Sequence, residues 1–242
     1  MPFPFLPARW ENLCLLQYAV PAELAADRVP KGMEADRLDG QAFVSVVPFQ
    51  FRGVHVLGVP WPGFTDFDEL NLRHYVRRRL PDGSFERGVV FVREFVPQSF
   101  VAWVARTIYH EPYRAAPFRH NVIVEGDPAT GRRTAVAELD WEGRTHRITV
   151  RAEGPAFTPG EGSVEHFFKE HTWGYGKTRG GEPIRYRVEH PVWRVWPVTG
   201  CEVDLDFASI YGPEWGFLTG RRPHSVVFAE GSPIKVFPKG RL

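Results

Sequence analysis

From Glu69 to Arg77 the residue types alternate. Leu70, Leu72, His74 and Val76 fall on one face, and Asn71, Arg73, Tyr75 and Arg77 on the other, the two-residue period of a half-buried strand. An Asn/Arg/Tyr face can hydrogen-bond and ion-pair a small polar or acidic molecule inside a cavity, although such a face more commonly meets solvent in an antiparallel sheet. His190 carries a ring whose ordinary pKa suits proton transfer near neutrality. Its neighbour Glu189 would point to the opposite side of a strand, so the two are poorly placed to share an ion. The nine histidines are scattered and none falls in an HxH or HExxH pattern. No metal centre is therefore expected, because three or four convergent ligands are not visible. Of 30 basic residues only Lys31, Lys169, Lys177, Lys235 and Lys239 are lysines, which limits where an amine nucleophile could sit. Lys177 closes Trp173-Gly174-Tyr175-Gly176-Lys177, a segment without Walker A spacing. Its glycines read as a turn or bulge, its aromatics as core, and its lysine as exposed unless it serves as a nucleophile.

Positioning such groups requires a sheet. Gly and Pro, 23 and 22 residues, are spread evenly and punctuate short strands. Strand-like runs are Leu13 to Val20, Ala42 to Val47 continuing to Arg52, Gly88 to Val96, Phe118 to Glu125, Arg133 to Trp141 and Arg144 to Ala152. Ile184 to Glu189, Val192 to Val198, Cys201 to Phe207 and His224 to Phe228 follow. Glu142-Gly143 reads as a tight hairpin turn. Helices are expected over Pro21 to Arg28, over Pro97 to Tyr109 with proline at its start, and over Ser163 to Glu170 with Ser163 as N-cap. Long hairpins and few helices imply a mainly β, α+β chain whose antiparallel sheet must curl or close to hide its edges. A single domain over residues 1–242 is expected.

A formal net charge of +1 argues against a general nucleic-acid binder, and Arg77-Arg78-Arg79 reads as a solvated strand end. Cys14 and Cys201 are too far apart for a CxxC motif and read as reduced thiols near a core. No apolar run is long enough to span a bilayer, and Met1 to Pro7 lacks the character of a signal peptide. Cytoplasmic location follows as the expectation, with no membrane or nucleic-acid partner. Exposed aromatics and strand edges leave homo-oligomer formation open.

Several segments resemble a known family. They are Trp10 to Pro21, Val29-Pro30-Lys31-Gly32-Met33-Glu34, Asp39 to Phe49, Phe67 to Val76, Glu170-His171-Thr172-Trp173-Gly174-Tyr175 and Val188-Glu189-His190-Pro191-Val192-Trp193. In this order they are similar to the YqjF-like family of conserved uncharacterised proteins, also known as DUF2071. That family in turn resembles acetoacetate decarboxylase. The resemblance implies a β-cone or barrel around a small pocket, and in the decarboxylase a lysine that forms an imine with a β-keto acid. The decarboxylase pattern Gly-Arg-Glu-aliphatic, three residues, Pro-Lys is similar to Ala105-Arg106-Thr107-Ile108-Tyr109-His110-Glu111-Pro112-Tyr113. Arg106, Ile108 and Pro112 match, and Tyr113 stands where the lysine would be. A phenol cannot form an imine, but it can donate a hydrogen bond to a carbonyl. Phe67-Asp68-Glu69 matches an aromatic-x-Glu pattern, which makes Glu69 a candidate pocket carboxylate, and Ser45 aligns with a second one. The resulting expectation is a β-barrel pocket that takes a small polar or acidic ligand, with no cofactor and no Schiff-base lysine. Tyr113 and Glu69 are its candidate catalytic groups, and Arg106, Arg73, Tyr75 and His190 its candidate binding groups. The alternatives are a lyase or decarboxylase acting on a small keto acid with a nucleophile from elsewhere, foremost Lys177, and a structural or interaction module with a vestigial pocket.

Overall fold

The structure, a computed structural model, describes residues 4–26, 29–178 and 180–242. In chain order the strands begin with β1 (Leu6–Val20), β2 (Glu34–Ala35), β3 (Ala42–Arg52), β4 (His55–Val56), β5 (Val59–Pro60), β6 (Phe67–Arg79) and β7 (Phe85–Val96). They continue with β8 (Tyr113–Ala115), β9 (Phe118–Glu125), β10 (Arg132–Trp141), β11 (Arg144–Glu153), β12 (Trp173–Lys177), β13 (Pro183–Glu189), β14 (Val195–Trp196), β15 (Val198–Asp204), β16 (Ser225–Val236) and β17 (Gly240–Arg241). The helices are α1 (Ala22–Ala26), α2 (Ser99–Ile108), α3 (Val164–Lys169) and α4 (Phe207–Tyr211), with a 3-10 turn over Pro213–Leu218. The expected end of the first helix at Asp27-Arg28 lies outside the described residues.

The curled, mainly β sheet read from the sequence is realised as a ring. Its strands run β16-β1-β3-β6-β7-β12-β13, and β13 returns to β16 where Val188 faces Val236. The sheet is antiparallel except where β7 meets β12 and where β8 adds to β7. Gly88 makes the parallel seam possible: a Cβ there would lie 2.3 Å from the Trp173 carbonyl oxygen, so only hydrogen fits. A second device bends the long antiparallel β1–β16 pair. Asn12 and Gly231 adopt positive φ beside a register shift in β1, and such bulges sharpen the twist that closes a sheet.

The ring wall separates two apolar cores. On its outer face Leu16, Val44, Leu72 and Phe95 meet the four-stranded sheet β15-β11-β10-β9, with Phe207 and Trp215 closing one end. On its inner face Leu15, Phe43, Val47 and Phe168 form the second core, beside a cavity. The β10–β11 hairpin turns at Glu142 and Gly143, both at positive φ, as the sequence indicated. Ser163 caps α3, its Oγ accepting from the His166 amide at 3.1 Å.

Some boundaries differ from expectation. β1 starts at Leu6 because Leu6 to Glu11 pairs with Val236 to Gly231. Trp173 to Lys177, read as a turn or bulge, is a ring strand. The run from Val192 shortens to Val195–Trp196 between Pro191 and Pro197. The strand expected at Cys201 to Phe207 ends early, because Asp206 caps α4 by accepting from the Ala208 and Ser209 amides. Cys14 and Cys201 form no disulfide. Among the described residues no helix is long and apolar enough to cross a membrane.

Candidate functional site

The ring encloses a cavity of about 440 Å³. Alternate residues of β6, namely Phe67, Glu69, Asn71 and Arg73, line it, as the strand period requires. On β7 the lining residues are Val89, Phe91 and Glu94, a break in parity. Leu72 pairs with Arg93 while Arg73 pairs with Phe91, so Val92 is an inserted bulge residue. The bulge turns Glu94 inward and Arg93 outward, where its guanidinium donates to the Ile210 carbonyl.

Glu94 then has Asn71 beside it on β6 and Tyr113 beside it on β8. The Tyr113 hydroxyl donates to Glu69 Oε2 at 2.7 Å, and Asn71 Nδ2 donates to Glu69 Oε1 at 3.1 Å. Glu111, just before β8, completes a cluster of three carboxyl groups that are 2%, 2% and 5% exposed for Glu69, Glu94 and Glu111. Burial pushes Glu69 up to about 7 against the lowering effect of Tyr113, Asn71 and Arg73. Burial pushes Glu111 up to about 8, with Tyr186 opposing and Glu69 adding to the shift. Glu94 is raised further, by burial and then by the charges of Glu69 and Glu111. Burial also raises Tyr113 and Tyr186, which stay protonated and serve as donors. Near neutral pH burial thus leaves the cluster holding most of its protons. Tyr186 keeps its place because residue 174 opposite it is glycine, where a Cβ would fall 2.2 Å from its ring.

Cationic groups line the same cavity. Arg73 is buried; its guanidinium donates to the Phe168 carbonyl at 3.4 Å and lies 5.5 Å from the Tyr75 ring centroid. Lys169, the last residue of α3, has a fully buried side chain that pairs with Glu170. His171 bonds Asp36 Oδ2 at 2.9 Å, Arg87 Nε donates to the same oxygen at 2.7 Å, and Arg87 Nη2 donates to Oδ1 at 3.2 Å. Burial alone would raise Asp36, but the bonds from His171 and Arg87 outweigh it and lower its pKa. Burial lowers His171 and His190, which favours neutral rings. The remaining wall is aromatic, with Trp10, Phe49, Phe51, Phe91, Trp173 and Trp193 prominent.

The residues singled out from sequence separate into two groups. Glu69, Tyr113, Arg73 and His190 line the cavity, His190 stacked on Trp193 at 4.2 Å. Tyr75 and Arg106 do not, which corrects their expected positions. Tyr75 shares the strand face but is sealed behind α3: its hydroxyl bonds Ser45 at 2.6 Å and its ring packs on Phe168. Ser45, aligned with a carboxylate, is thereby occupied with Tyr75. Arg106 is exposed, because α2 turns Val101, Val104, Ala105 and Ile108 toward the cavity. Lys177 is exposed as well and lies outside the lining. Sequence reasoning missed Glu94, Glu111, Lys169 and His171. Glu111 lay within the segment aligned to the decarboxylase pattern, and Lys169 and His171 flank Glu170 in or beside a family segment. Nothing in sequence marks the bulge that admits Glu94. Among the described residues no group of three or more His, Cys, Asp or Glu side chains is arranged to hold a metal ion.

Residues 7–233 match the model of a family described as uncharacterised conserved proteins, DUF2071. The chain belongs to the DUF2071 family. This DUF2071 protein is 30% identical over 105 residues to the uncharacterised protein YqjF of Bacillus subtilis. That match spans 43% of the chain and 41% of YqjF, well under two thirds of the relative's length. Its fold is similar to an acetoacetate decarboxylase-like enzyme from Sphingomonas wittichii, with TM-score 0.67, 11% identity and 99% and 93% of the two chains covered. It is likewise similar to the enduracididine biosynthesis enzyme MppR, with TM-score 0.65, 13% identity and 100% and 88% covered. Acetoacetate decarboxylase from Legionella pneumophila gives TM-score 0.59, 15% identity and 97% and 86% covered. At these identities the likeness concerns the acetoacetate decarboxylase-like fold.

Proposed function

We propose that this DUF2071 protein binds a small polar or acidic molecule in the ring cavity and does so without an imine at position 113. The observation that carries the reading is the Tyr113–Glu69 hydrogen bond, buried beside Arg73 in a cavity large enough for a metabolite. Tyr113 can turn its hydroxyl from Glu69 to a ligand carbonyl or carboxyl group, Arg73 offers charge, and the aromatic wall takes the ligand's apolar part. MppR, similar in fold, is known in complex with pyruvate, a small acid of the kind this reading invokes. Cytoplasmic location and independence from nucleic acid and membrane belong to the same reading; the balanced charge supports the independence from nucleic acid. A thermal-shift screen with small oxo acids and related acids tests it. Ligands should raise the melting point of the wild type, through preferential binding to the folded state, and less so that of Tyr113→Phe or Arg73→Met. No response to any compound would overturn it.

Lys169 favours a second reading, a lyase that uses an amine from α3 in place of the residue at 113. Its side chain is buried on a residue that lines the cavity, whereas Lys177 lies outside. Borohydride reduction in the presence of a keto acid, followed by peptide mapping, would label Lys169 if this reading holds and leave it unmodified if it does not.

A further inference from the structure

Asn71 Oδ1, Glu94 Oε2 and Glu111 Oε1 have no hydrogen-bond partner among the described residues, although each is buried on a residue that lines the cavity. Buried acceptors are rarely left bare, so their natural complement is a ligand that donates. Glu69 is already engaged through both oxygens. A primary ammonium has three donors and no acceptor, which matches the three orphaned atoms in number, and its charge favours the ionised carboxylates, so its binding would release protons that the cluster holds in the free protein. The aromatic rings along the wall further suit a cation. Arg73 has the opposite need. Among the described residues its Nε lacks a partner and its guanidinium makes one hydrogen bond, at 3.4 Å to the Phe168 carbonyl, which leaves donors to hold a carboxylate.

We propose that the cavity's ligand is a zwitterion, an apolar α-amino acid or close analogue. Its ammonium sits among Asn71, Glu94 and Glu111, its carboxylate on Arg73 beside Lys169, and its side chain against the aromatic wall. The proposal rests on the small-molecule reading above and names the class of compound.

The test titrates the protein at neutral pH with phenylalanine, phenylpropanoate, phenethylamine and phenylpyruvate, followed by tryptophan fluorescence and melting point. Phenylalanine should bind, and phenylpropanoate and phenethylamine, each missing one charged group, should bind at least about tenfold more weakly. Arg73→Met should weaken phenylalanine and leave phenethylamine unchanged. Glu94→Leu should weaken both amines and leave phenylpropanoate unchanged. The proposal is overturned if phenylpropanoate binds as tightly as phenylalanine, or if Glu94→Leu, folded by circular dichroism, leaves amine binding intact. Phenylpyruvate binding alone would also overturn it while sparing the small-acid reading, and silence from all four probes would count against both.

Discussion

Replacing Glu69 by glutamine should make the protein slightly less stable than wild type in mild acid and more stable in mild base. The folded-state pKa of Glu69 is raised from the usual 4.5 to about 7, chiefly by burial. Between those values the folded chain holds a proton that the unfolded chain has released, so stability falls as pH rises through the window. At 1.36 kcal/mol per unit, the loss attributable to Glu69 is about 3 kcal/mol by pH 8. Glutamine keeps the shape and does not titrate, at a pH-independent cost of about 1 kcal/mol for imperfect hydrogen bonding to Tyr113 and Asn71. The stability of Glu69→Gln minus that of wild type should therefore run from about −1 kcal/mol near pH 4.5 to about +2 kcal/mol near pH 8. Urea unfolding of both proteins at intervals from about pH 4.5 to about pH 8 measures that difference directly. A difference that stays flat, or that turns against glutamine as pH rises, would mean that Glu69 is comfortably ionised in the folded state. The proton-holding description of the cluster would then be wrong.

Other substitutions probe neighbouring links. Gly174→Ala places a methyl in the Tyr186 ring and should cost about 1–3 kcal/mol in chemical denaturation, because the ring must leave its place beside Glu111. Tyr113→Phe removes a donor from a buried carboxyl oxygen. It should cost about 1–3 kcal/mol at pH 8, where Glu69 is ionised, and less at pH 5, as paired melts at the two pH values would register. Ser163→Ala removes the cap of α3 and should cost about 1 kcal/mol, readable as a lowered urea midpoint. Arg106→Ala should change stability by less than about 0.5 kcal/mol and leave ligand-induced thermal shifts unaltered, since that side chain sits outside the cavity.

The fold was legible where local rules act alone. Glu142-Gly143 fixed a hairpin through its backbone preference, Ser163 marked a helix start, and the alternation of Glu69 to Arg77 identified a wall with two unlike faces. That alternation also put Asn71 and Arg73 on the cavity side. It could not separate Tyr75 from them, because what hides Tyr75 is Phe168, brought in from a distant helix. Arg106 was misplaced for a related reason: a one-dimensional match of spacing carries no information on which side of a helix faces inward. The segment Trp173 to Lys177 escaped as a strand because its glycines weaken strand propensity, and its pairing rests on ring closure across Gly88. Glu94 depended on a single inserted residue at Val92, and a bulge of that kind leaves no mark on composition or period.

The proposed function makes the ring interior a ligand site in which a tyrosine and carboxylic acids, in place of an amine, meet the ligand. Intact-mass analysis of the protein incubated with its best thermal-shift ligand, then reduced with borohydride, addresses it in one step. A raised melting point together with the mass of the unmodified chain is the expected result. A covalent adduct on any cavity lysine, or the absence of any ligand that raises the melting point, would contradict it.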